Sequence, residues 1–508
     1  MEDSTRADVV GLNWLAAIRA GLLRFGPLLA ALGLTAAVLL FAVRHAYAIF
    51  DDAYIFLRYV DQIYAGCPLT FNCADGALEG FSSPLYLLML TLGGLLLSDL
   101  ELLTQVLCPI LLAVALTVTA LTARNARFVG HDRSAGLLLM FGVALLLGLD
   151  HYLLLYSVVG VEAGLAMLVV TLLLCAALTP DLRGLRSLIV VAILTRPECA
   201  LFALVLPIFP QARKLRYWVP LLGAGLSIAL LRWFIFHDIL PNTFWAKSGG
   251  TWTHFVLGAE YILEVVGEHP LVLVSPLALL HREARRPVAY MLAASFLWLA
   301  FFLRSGGDFY HYSRLAAPLI PMLDLLAVVG IWSAASRYRR GLAAWVAAGL
   351  AVVLAVIAAG RHDIPPQGAF PKVNRWAQVG RFLKNVHPGA TVAATPMGAI
   401  SYFSGTHVID IVGVCNREVA KRGTTRPDLK RANIGHERHY TDYILEQAPD
   451  LIVTFVWSPT PFDQGTDVRT PNYGEFLLMQ AVQEGRAPYR PYTPQVAPGV
   501  YWFMFRRE

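Results

Sequence analysis

The stretch IFDDAYIFLRY, residues 49–59, begins where a long apolar run ends. Two adjacent carboxylates, Asp51 and Asp52, are followed by Arg58 at what the hydropathy pattern predicts to be the mouth of a membrane helix. Ionisable groups at a membrane boundary are costly unless they have partners or a function. The fold should therefore bring further charged segments to the same membrane face.

The composition predicts a membrane protein. Of 508 residues, 57% are hydrophobic and only 15% are charged, whereas soluble domains average about 25% charged residues. The mean hydropathy is +0.57. The net charge of +6 does not indicate nucleic acid as a partner, because basic side chains of membrane proteins collect in cytoplasmic loops.

Apolar runs long enough to cross a bilayer recur through residues 1–360, which we predict to be a transmembrane domain. With about 17–25 residues needed for each crossing, about eleven spans are expected. Segment 187–210 is counted as two short spans turning at its polar tip. The predicted spans centre on 26–49, 103–123, 135–150, 161–178, 187–210, 217–236, 268–281, 287–303, 315–335 and 341–359.

Short basic loops predict the orientation, because cytoplasmic loops are enriched in Lys and Arg. All the loops satisfy this rule if the N-terminus is cytoplasmic and segment 82–103 does not span the membrane. That segment would instead lie in the interface or form a re-entrant helix. The basic loops are then all cytoplasmic: 124–127, 181–186, 211–216, 281–286 and 336–340. The polar motifs fall outside: FDDAYIFLRY and EGFSSP in a first outer loop, 50–102, then SVVGVEAG, TRPE, LPNTFWAKSGG and RSGGDFYHYSR.

Residues 361–508 are predicted to form an extracytoplasmic α/β domain, because short β-type runs alternate with helical ones. The predicted strands are 391–396, 407–413, 450–456 and 499–505, and the predicted helices are 375–385 and 442–448. GAISYFSG, 398–405, lacks the spacing of a phosphate-binding loop, so no nucleotide is expected. In the first outer loop, Cys67 and Cys73 can pair if that loop faces an oxidising compartment.

The ordered motifs resemble the GT-C superfamily of multi-span glycosyltransferases that use polyprenyl-phosphate sugars. DDAYIFLRY with TFNCADGALEGFSSPLYLLML is similar to the first outer loop of a bacterial branch that includes mycobacterial terminal arabinofuranosyltransferases. LTRPE, LPNTFWAK, GGDFYHYSRLAAPLIP and GAISYFSGTHVIDIVG resemble further motifs of that branch. The family loop more often reads EGYTSPLW, and Met commonly stands where this chain has Val161. These departures leave the sugar open.

The resemblance implies a transferase in the bacterial cytoplasmic membrane whose active site and C-terminal domain face the periplasm. It would move a sugar, with arabinofuranose the leading candidate, from a polyprenyl-phosphate donor to an envelope glycan, lipid or protein. A carboxylate can act as general base on the acceptor hydroxyl. The resemblance places that base in the first outer loop. Asp51 and Asp52 diverge by about 100° on a helix. We favour Asp51 as the base, with Asp52 nearly equal; the other acid would cap the next helix or orient Arg58.

Other charged and aromatic residues of the outer loops are candidates for binding substrate. Cations near the phosphate would stabilise the leaving group, and we assign Arg58, Lys247 and Arg314 to it. The predicted substrate-binding residues are Glu79, Glu162, Arg196, Glu198, Trp245, Asp308 and His311. Each has a structural alternative: snorkelling for Arg58, a helix-joining ion pair for Arg196 with Glu198, interfacial anchoring for Lys247 and Trp245.

No cofactor is predicted. Asp51, Asp52 and Asp308 offer the oxygen ligands that a hard divalent cation prefers, but nothing in their spacing requires a metal. Two other classes of function stay open: a transporter or channel, and a flippase or scaffold that carries lipid-linked sugars without reacting them. Within the same fold, mannose, galacturonic acid or aminoarabinose could replace arabinofuranose, with lipid A or protein as acceptor.

Overall fold

The structure is a computed structural model that describes residues 2–45, 49–247, 249–309, 312–338, 340–359, 371–426, 429–430, 434–463, 468–470 and 472–508. Its N-terminal part is helical. The helices are α1 Glu2–His45, α2 Asp51–Tyr64, α3 Pro84–Gly94, α4 Leu100–Thr122, α5 Ala126–Val129, α6 Arg133–Leu149, α7 His151–Leu154, α8 Ala163–Ala177, α9 Arg183–Thr195, α10 Leu201–Leu204, α11 Leu215–Phe236, α12 Asn242–Ala246, α13 Trp252–Glu268, α14 Arg285–Ser305, α15 Ile320–Ala335 and α16 Arg340–Ala359. Short 3₁₀ helices lie at Cys73–Asp75, Leu155–Ser157, Pro197–Ala200, Leu206–Ile208, Pro210–Arg213 and Pro270–Leu280.

Within the described residues, four helical segments are long and apolar enough to cross a membrane, and six are if each bent pair is one span. The four are Ala20–His45, Leu100–Val129, Leu215–Phe236 and Arg285–Ser305. The bent pairs are Arg133–Leu149 with His151–Ser157, bent by 65°, and Trp252–Glu268 with Pro270–Leu280, bent by 79°. The prediction of a multi-pass membrane protein is confirmed. The count of about eleven spans stays a prediction, because Pro84–Gly94, Ala163–Ala177, Pro197–Ile208, Ile320–Ala335 and Leu342–Ile357 are shorter apolar helices.

Two segments differ in form from a simple span. In 82–103, Ser83 caps the short helix α3 and Asp99 caps the start of α4, so the apolar run is divided in two. The predicted span 268–281 is instead a 3₁₀ segment that follows α13. Its proline residues explain the form, because Pro270 and Pro276 each lack the N–H that a continuous α-helix requires.

The helices of the N-terminal part enclose a common apolar core. Helix α15 packs along the 270–280 segment, and α4 packs against α8. Gly330 permits the first contact, because a Cβ there would lie 2.7 Å from the backbone nitrogen of Ala278. The core therefore depends on a close approach between two backbones rather than only on side-chain packing.

The C-terminal part contains an α/β domain, as predicted. Its helices are α17 Pro371–Val386, α18 Met397–Ser404, α19 Arg417–Arg422, α20 Thr441–Glu446 and α21 Tyr473–Gln483. Its strands are β1 Thr391–Ala394, β2 His407–Asp410, β3 Thr424–Thr425, β4 Arg438–His439, β5 Leu451–Ser458, β6 Tyr489–Tyr492, β7 Gln495–Ala497 and β8 Val500–Arg507. The main sheet has the order β2-β1-β5-β8-β6, with β7 beside β8. Strand β1 is parallel to both β2 and β5, whereas β8 is antiparallel to its neighbours.

The C-terminal domain is joined to the 50–102 segment by buried hydrogen bonds. The Asn72 amide donates to the Val408 carbonyl (2.9 Å) and accepts from the Val408 N–H (3.1 Å). Cys67 and Cys73 form a disulfide with a Cα–Cα distance of 5.4 Å, which closes the loop next to Asn72. The sequence left this pairing open. The Asn72 bonds hold the domain against the loop that follows the C-terminal end of α2, whereas the predicted site lies at the other end, where α2 begins with Asp51 and Asp52.

Candidate active site

One arginine joins the first turn of α2 to the GGDFYHYSR segment. Arg314 Nη1 lies 2.5 Å from Asp52 Oδ2, while its Nε and Nη2 bond Asp308 at 2.6 and 3.0 Å. The side chain of Asp52 remains 40% exposed, whereas that of Asp308 is only 4% exposed. Asp308 therefore orients the guanidinium, and Asp52 presents a carboxylate to the open side.

The turn that carries Arg314 has an uncommon backbone. Tyr312 and Ser313 have φ values of 71° and 53°, a left-handed conformation that is costly for residues other than glycine. The Glu268 carboxylate accepts hydrogen bonds from the Tyr312 N–H and the Ser313 hydroxyl. The Tyr156 hydroxyl donates to the Tyr312 carbonyl at 2.6 Å. Glu268 at the end of α13 and the buried Tyr156 thus hold the turn that aims Arg314.

Asp51 has a different environment from Asp52. Its carboxylate accepts hydrogen bonds from the N–H groups of Gly398 (3.0 Å) and Ala399 (2.7 Å) at the start of α18. Burial raises the pKa of Asp51 to about 7, although these two N–H groups act in the opposite direction. Gly398 is required here, since a Cβ would lie 2.1 Å from the Asp51 carbonyl oxygen. Asp51 caps a helix of the C-terminal domain, and both its oxygens are occupied.

A second charged group is formed by Glu162 and the TRPE segment. Arg196 lies 3.3 Å from Glu162 and 3.4 Å from Glu198, and all three side chains are at most 15% exposed. Arg196 Nε and Glu198 Oε2 are buried without a hydrogen-bond partner in the described structure. Ser82 contacts Glu162 at 3.5 Å. The orphaned polar atoms are suited to bonds with a ligand rich in hydroxyl groups.

Lys247 and His436 lie between these two groups. Lys247 is exposed and makes no hydrogen bond or ion pair to any residue that the structure describes; its charge acts on both Glu198 and His436. The His436 ring packs on Phe309 with centroids 4.6 Å apart. Burial lowers the pKa of His436; the nearby Asp52 acts in the opposite direction, and Lys247 and Arg314 in the same direction as burial. The cluster therefore contains a cation with no described partner, an imidazole and a half-exposed carboxylate.

Two predicted binding residues have protein partners elsewhere. Arg58 donates to the carbonyl oxygens of Phe71 and Thr406, each at 3.1 Å, and is buried. Glu79 is buried and paired with Arg232 at 2.8 Å. These contacts show that Arg58 and Glu79 join separate segments inside the protein. Their predicted contacts with phosphate and sugar stay predictions.

Trp245 and His311 complete the predicted set. Trp245 Nε1 donates to Asp238 at 3.0 Å, and the Lys421 ammonium of α19 lies 5.3 Å from the indole ring centre. This cluster joins the NTFWAK segment to the C-terminal domain. His311 lies outside the described residues. Among the residues that are described, no group of three or more His, Cys, Asp or Glu side chains is placed to hold a metal ion.

Sequence reasoning missed Arg232, Glu268 and His436. A signal existed for Arg232, since a lone arginine within an apolar span has a partner or a function by default. Glu268 ends a helix with acidic residues at every fourth position, 260, 264 and 268, a pattern that gives no sign of its contact with the turn before Arg314. His436 belongs to no recognisable motif.

The fold is found in known structures. The chain is similar to ArnT from Cupriavidus metallidurans bound to undecaprenyl phosphate, with 12% identity, a TM-score of 0.51, and coverage of 93% of this chain and 97% of that one. The apo state of ArnT gives a TM-score of 0.49 at 13% identity, covering 97% and 98%. The mycobacterial arabinofuranosyltransferase AftD gives 0.48 at 15% identity, covering 94% of this chain and 39% of AftD.

Residues 367–494 match a family described as a domain of unknown function, DUF8728. No curated protein matches the sequence significantly. The structural similarity to ArnT confirms the predicted GT-C fold. The chain is therefore a multi-pass membrane protein with the GT-C fold and a C-terminal α/β domain.

Proposed function

We propose that the protein is a glycosyltransferase that uses a polyprenyl-phosphate sugar as its donor. The observation that carries the proposal is the contact of Asp52 with Arg314, beside the half-buried His436 and Lys247, which has no ion-pair partner among the described residues. Transfer from a lipid-phosphate donor needs an acidic side chain as a base for the acceptor hydroxyl and cations that stabilise the leaving phosphate. The GT-C fold supports the same class, and ArnT has been solved with undecaprenyl phosphate bound.

Asp52 is the proposed general base. Its carboxylate would take the proton of the acceptor hydroxyl as that oxygen forms a bond to the anomeric carbon of the donor sugar. Asp52 is favoured over Asp51 because Asp52 is 40% exposed, whereas both oxygens of Asp51 accept backbone N–H groups. The charge-assisted hydrogen bond from Arg314 holds the Asp52 carboxylate in position.

Lys247 is the proposed partner of the phosphate. As the bond between the anomeric carbon and the phosphate oxygen breaks, the electron pair leaves with the polyprenyl phosphate and its negative charge increases. A nearby ammonium group stabilises that charge. Lys247 suits this role, because no described residue neutralises it, and Arg314 can add a second cation.

The group of Glu162, Arg196 and Glu198 is the proposed site for the donor sugar. Its orphaned atoms, Arg196 Nε and Glu198 Oε2, would bond hydroxyl groups of the sugar. Arabinofuranose is the proposed sugar, on the motif resemblance alone. The acceptor would be an envelope glycan, lipid or protein on the periplasmic side, because the basic loops predict that orientation.

The test combines a deletion strain with one substitution. Mass spectrometry of the envelope glycans and lipids of the deletion strain should show one sugar missing, restored by the wild-type gene but not by Asp52→Asn. The purified Asp52→Asn protein should still bind undecaprenyl phosphate. Restoration of the missing sugar by Asp52→Asn would instead favour a flippase or scaffold, since carrying a lipid-linked sugar needs no general base.

A further inference from the structure

The C-terminal domain reaches the proposed active site through four consecutive residues, the IGHE segment 434–437. Each of the four contacts or lies close to a different residue of the helical part. The segment does not belong to the resemblance motifs, and the general base, phosphate site and sugar site proposed above leave it without a role. Its contacts show what lies beneath it.

The first two residues fit closely. A Cβ on Gly306 would lie 2.6 Å from Ile434 Cδ1, so the isoleucine side chain packs directly against this glycine. Gly435 has a φ of 80°, and a Cβ there would lie 3.7 Å from Lys247 Cε. The backbone of the segment thus runs directly over the unpaired lysine, in a conformation that favours glycine.

The last two residues fix the position of the segment. Glu437 pairs with His254 of α13 at 3.2 Å, and both side chains are 1% exposed. The N–H of Gly435 donates to the same carboxylate at 3.3 Å. Between these anchors, His436 places its ring on Phe309, next to the Asp52 and Arg314 pair. A side chain held from both sides is pre-organised for binding.

We propose that the IGHE segment forms the acceptor subsite, and that His436 hydrogen bonds the hydroxyl-bearing acceptor next to Asp52. This inference rests on the proposed function. A lipid-anchored donor enters from the membrane, where the helical part supplies Lys247, Glu162 and Arg196. The acceptor has to approach from the side of the C-terminal domain, and that domain contributes His436.

The chemistry of His436 agrees with a hydroxyl rather than a phosphate. The lowered pKa of His436 keeps its imidazole uncharged near neutral pH. A neutral imidazole both donates and accepts a hydrogen bond, as a sugar hydroxyl does. An anionic phosphate would be better bound by the two cations, Lys247 and Arg314.

The experiment separates acceptor binding from donor binding in the full-length protein. His436→Ala is compared with His439→Ala, an imidazole three residues further on that packs on Tyr473 and contacts Thr424. Two quantities are measured for each variant. The first is the affinity for undecaprenyl phosphate. The second is the amount of delipidated envelope glycan, taken from the deletion strain, that half-saturates the transfer reaction. The polyprenyl-phosphate sugar fraction of the same strain serves as the donor.

For His436→Ala, the half-saturating amount of glycan should rise about tenfold, as expected for one lost hydrogen bond, with undecaprenyl phosphate affinity and melting temperature unchanged. His439→Ala should match the wild type in all three. An unchanged glycan requirement, or an equal loss of undecaprenyl phosphate affinity, would overturn the acceptor subsite while leaving the glycosyltransferase intact. Absence of transfer by the wild-type protein to the glycan, lipid and protein fractions of the deletion strain alike would instead overturn the proposed function and this inference with it.

Discussion

Arg314 bonds Asp52 and Asp308 at once, although Asp52 is 262 residues away in sequence. Its guanidinium donates along two edges, which an ammonium group cannot do. The pairing joins the first turn of α2 to the turn after α14. It also makes the two carboxylates unequal, because Asp308 is buried and Asp52 is open to the site. The first two predictions follow from this inequality.

Asp52→Asn should lower the turnover number by about 10²–10⁴, the contribution typical of a positioned general base. Asn cannot take the acceptor proton, but it can still accept a hydrogen bond from Arg314, so undecaprenyl phosphate binding should persist. The measurement is single-turnover transfer together with equilibrium binding of the lipid phosphate.

Asp51→Asn is the matched comparison for that substitution. An amide would direct an N–H₂ group toward the N–H groups of Gly398 and Ala399, so the melting temperature should fall while the folded fraction keeps its turnover. The opposite pattern, with activity lost in Asp51→Asn and kept in Asp52→Asn, would show that Asp51 is the general base.

Lys247→Met should weaken the binding of undecaprenyl phosphate by about tenfold, because a charge-assisted hydrogen bond contributes about 1.5–3 kcal/mol. Stability should not change, since Lys247 has no ion pair among the described residues. Lys384→Met, which removes an exposed cation of α17, serves as the control. Equal weakening in both variants would mean that general charge, not a phosphate site, attracts the lipid.

The sequence predicted the meeting of the loops because hydropathy and basic loops placed every polar motif at one membrane face. Asp52, Asp308 and Arg314 came from such motifs, and the divergence of Asp51 from Asp52 follows from helical geometry. Which of the two acids faces the site was not predictable, because that depends on α18, which begins 346 residues after Asp51. Their roles remain predictions.

Local sequence patterns do not show contacts between distant parts of the chain. Arg58 follows two acids at a predicted membrane boundary, which suggested a phosphate ligand, yet its partners are two backbone carbonyl groups. The carbonyl of Thr406 belongs to a turn of the C-terminal domain, and no spacing in the sequence indicates that this turn docks there. Helix α13 was not predicted as part of a span, because its acidic residues lower its hydropathy.

Arg196→Met should destabilise the protein by about 3–5 kcal/mol, because it leaves the buried carboxylates of Glu162 and Glu198 without their cation. Adding Glu162→Gln and Glu198→Gln removes both charges and should recover most of the lost stability without restoring transfer. Thermal unfolding in detergent measures the first effect, and the transfer assay the second. A wild-type melting temperature for Arg196→Met would show that the ion pairs do not support the helices.

Glu475 predicts a pH dependence of stability that is independent of the active site. Burial raises the pKa of this carboxyl to about 7, and its Oε1 and the hydroxyl of Thr395 are both buried without a partner among the described residues. The other oxygen accepts from the Phe455 N–H and the Thr470 hydroxyl. The nearby hydroxyl groups of Thr395 and Thr470 and the Phe455 N–H favour the ionised form, but burial outweighs them, so the folded protein favours the neutral form.

Because the pKa of Glu475 is higher in the folded state, the folded protein binds more protons than the unfolded chain between the two pKa values. This group should therefore lower stability as the pH rises from about 4 to 7, with no further loss above that. Glu475→Gln imitates the protonated form, so the variant should melt at a higher temperature than the wild type at pH 8. Its stability should also lack the decrease with pH that Glu475 causes. If the melting temperatures of the two proteins changed with pH in the same way from pH 5 to 8, Glu475 would not change its protonation on unfolding.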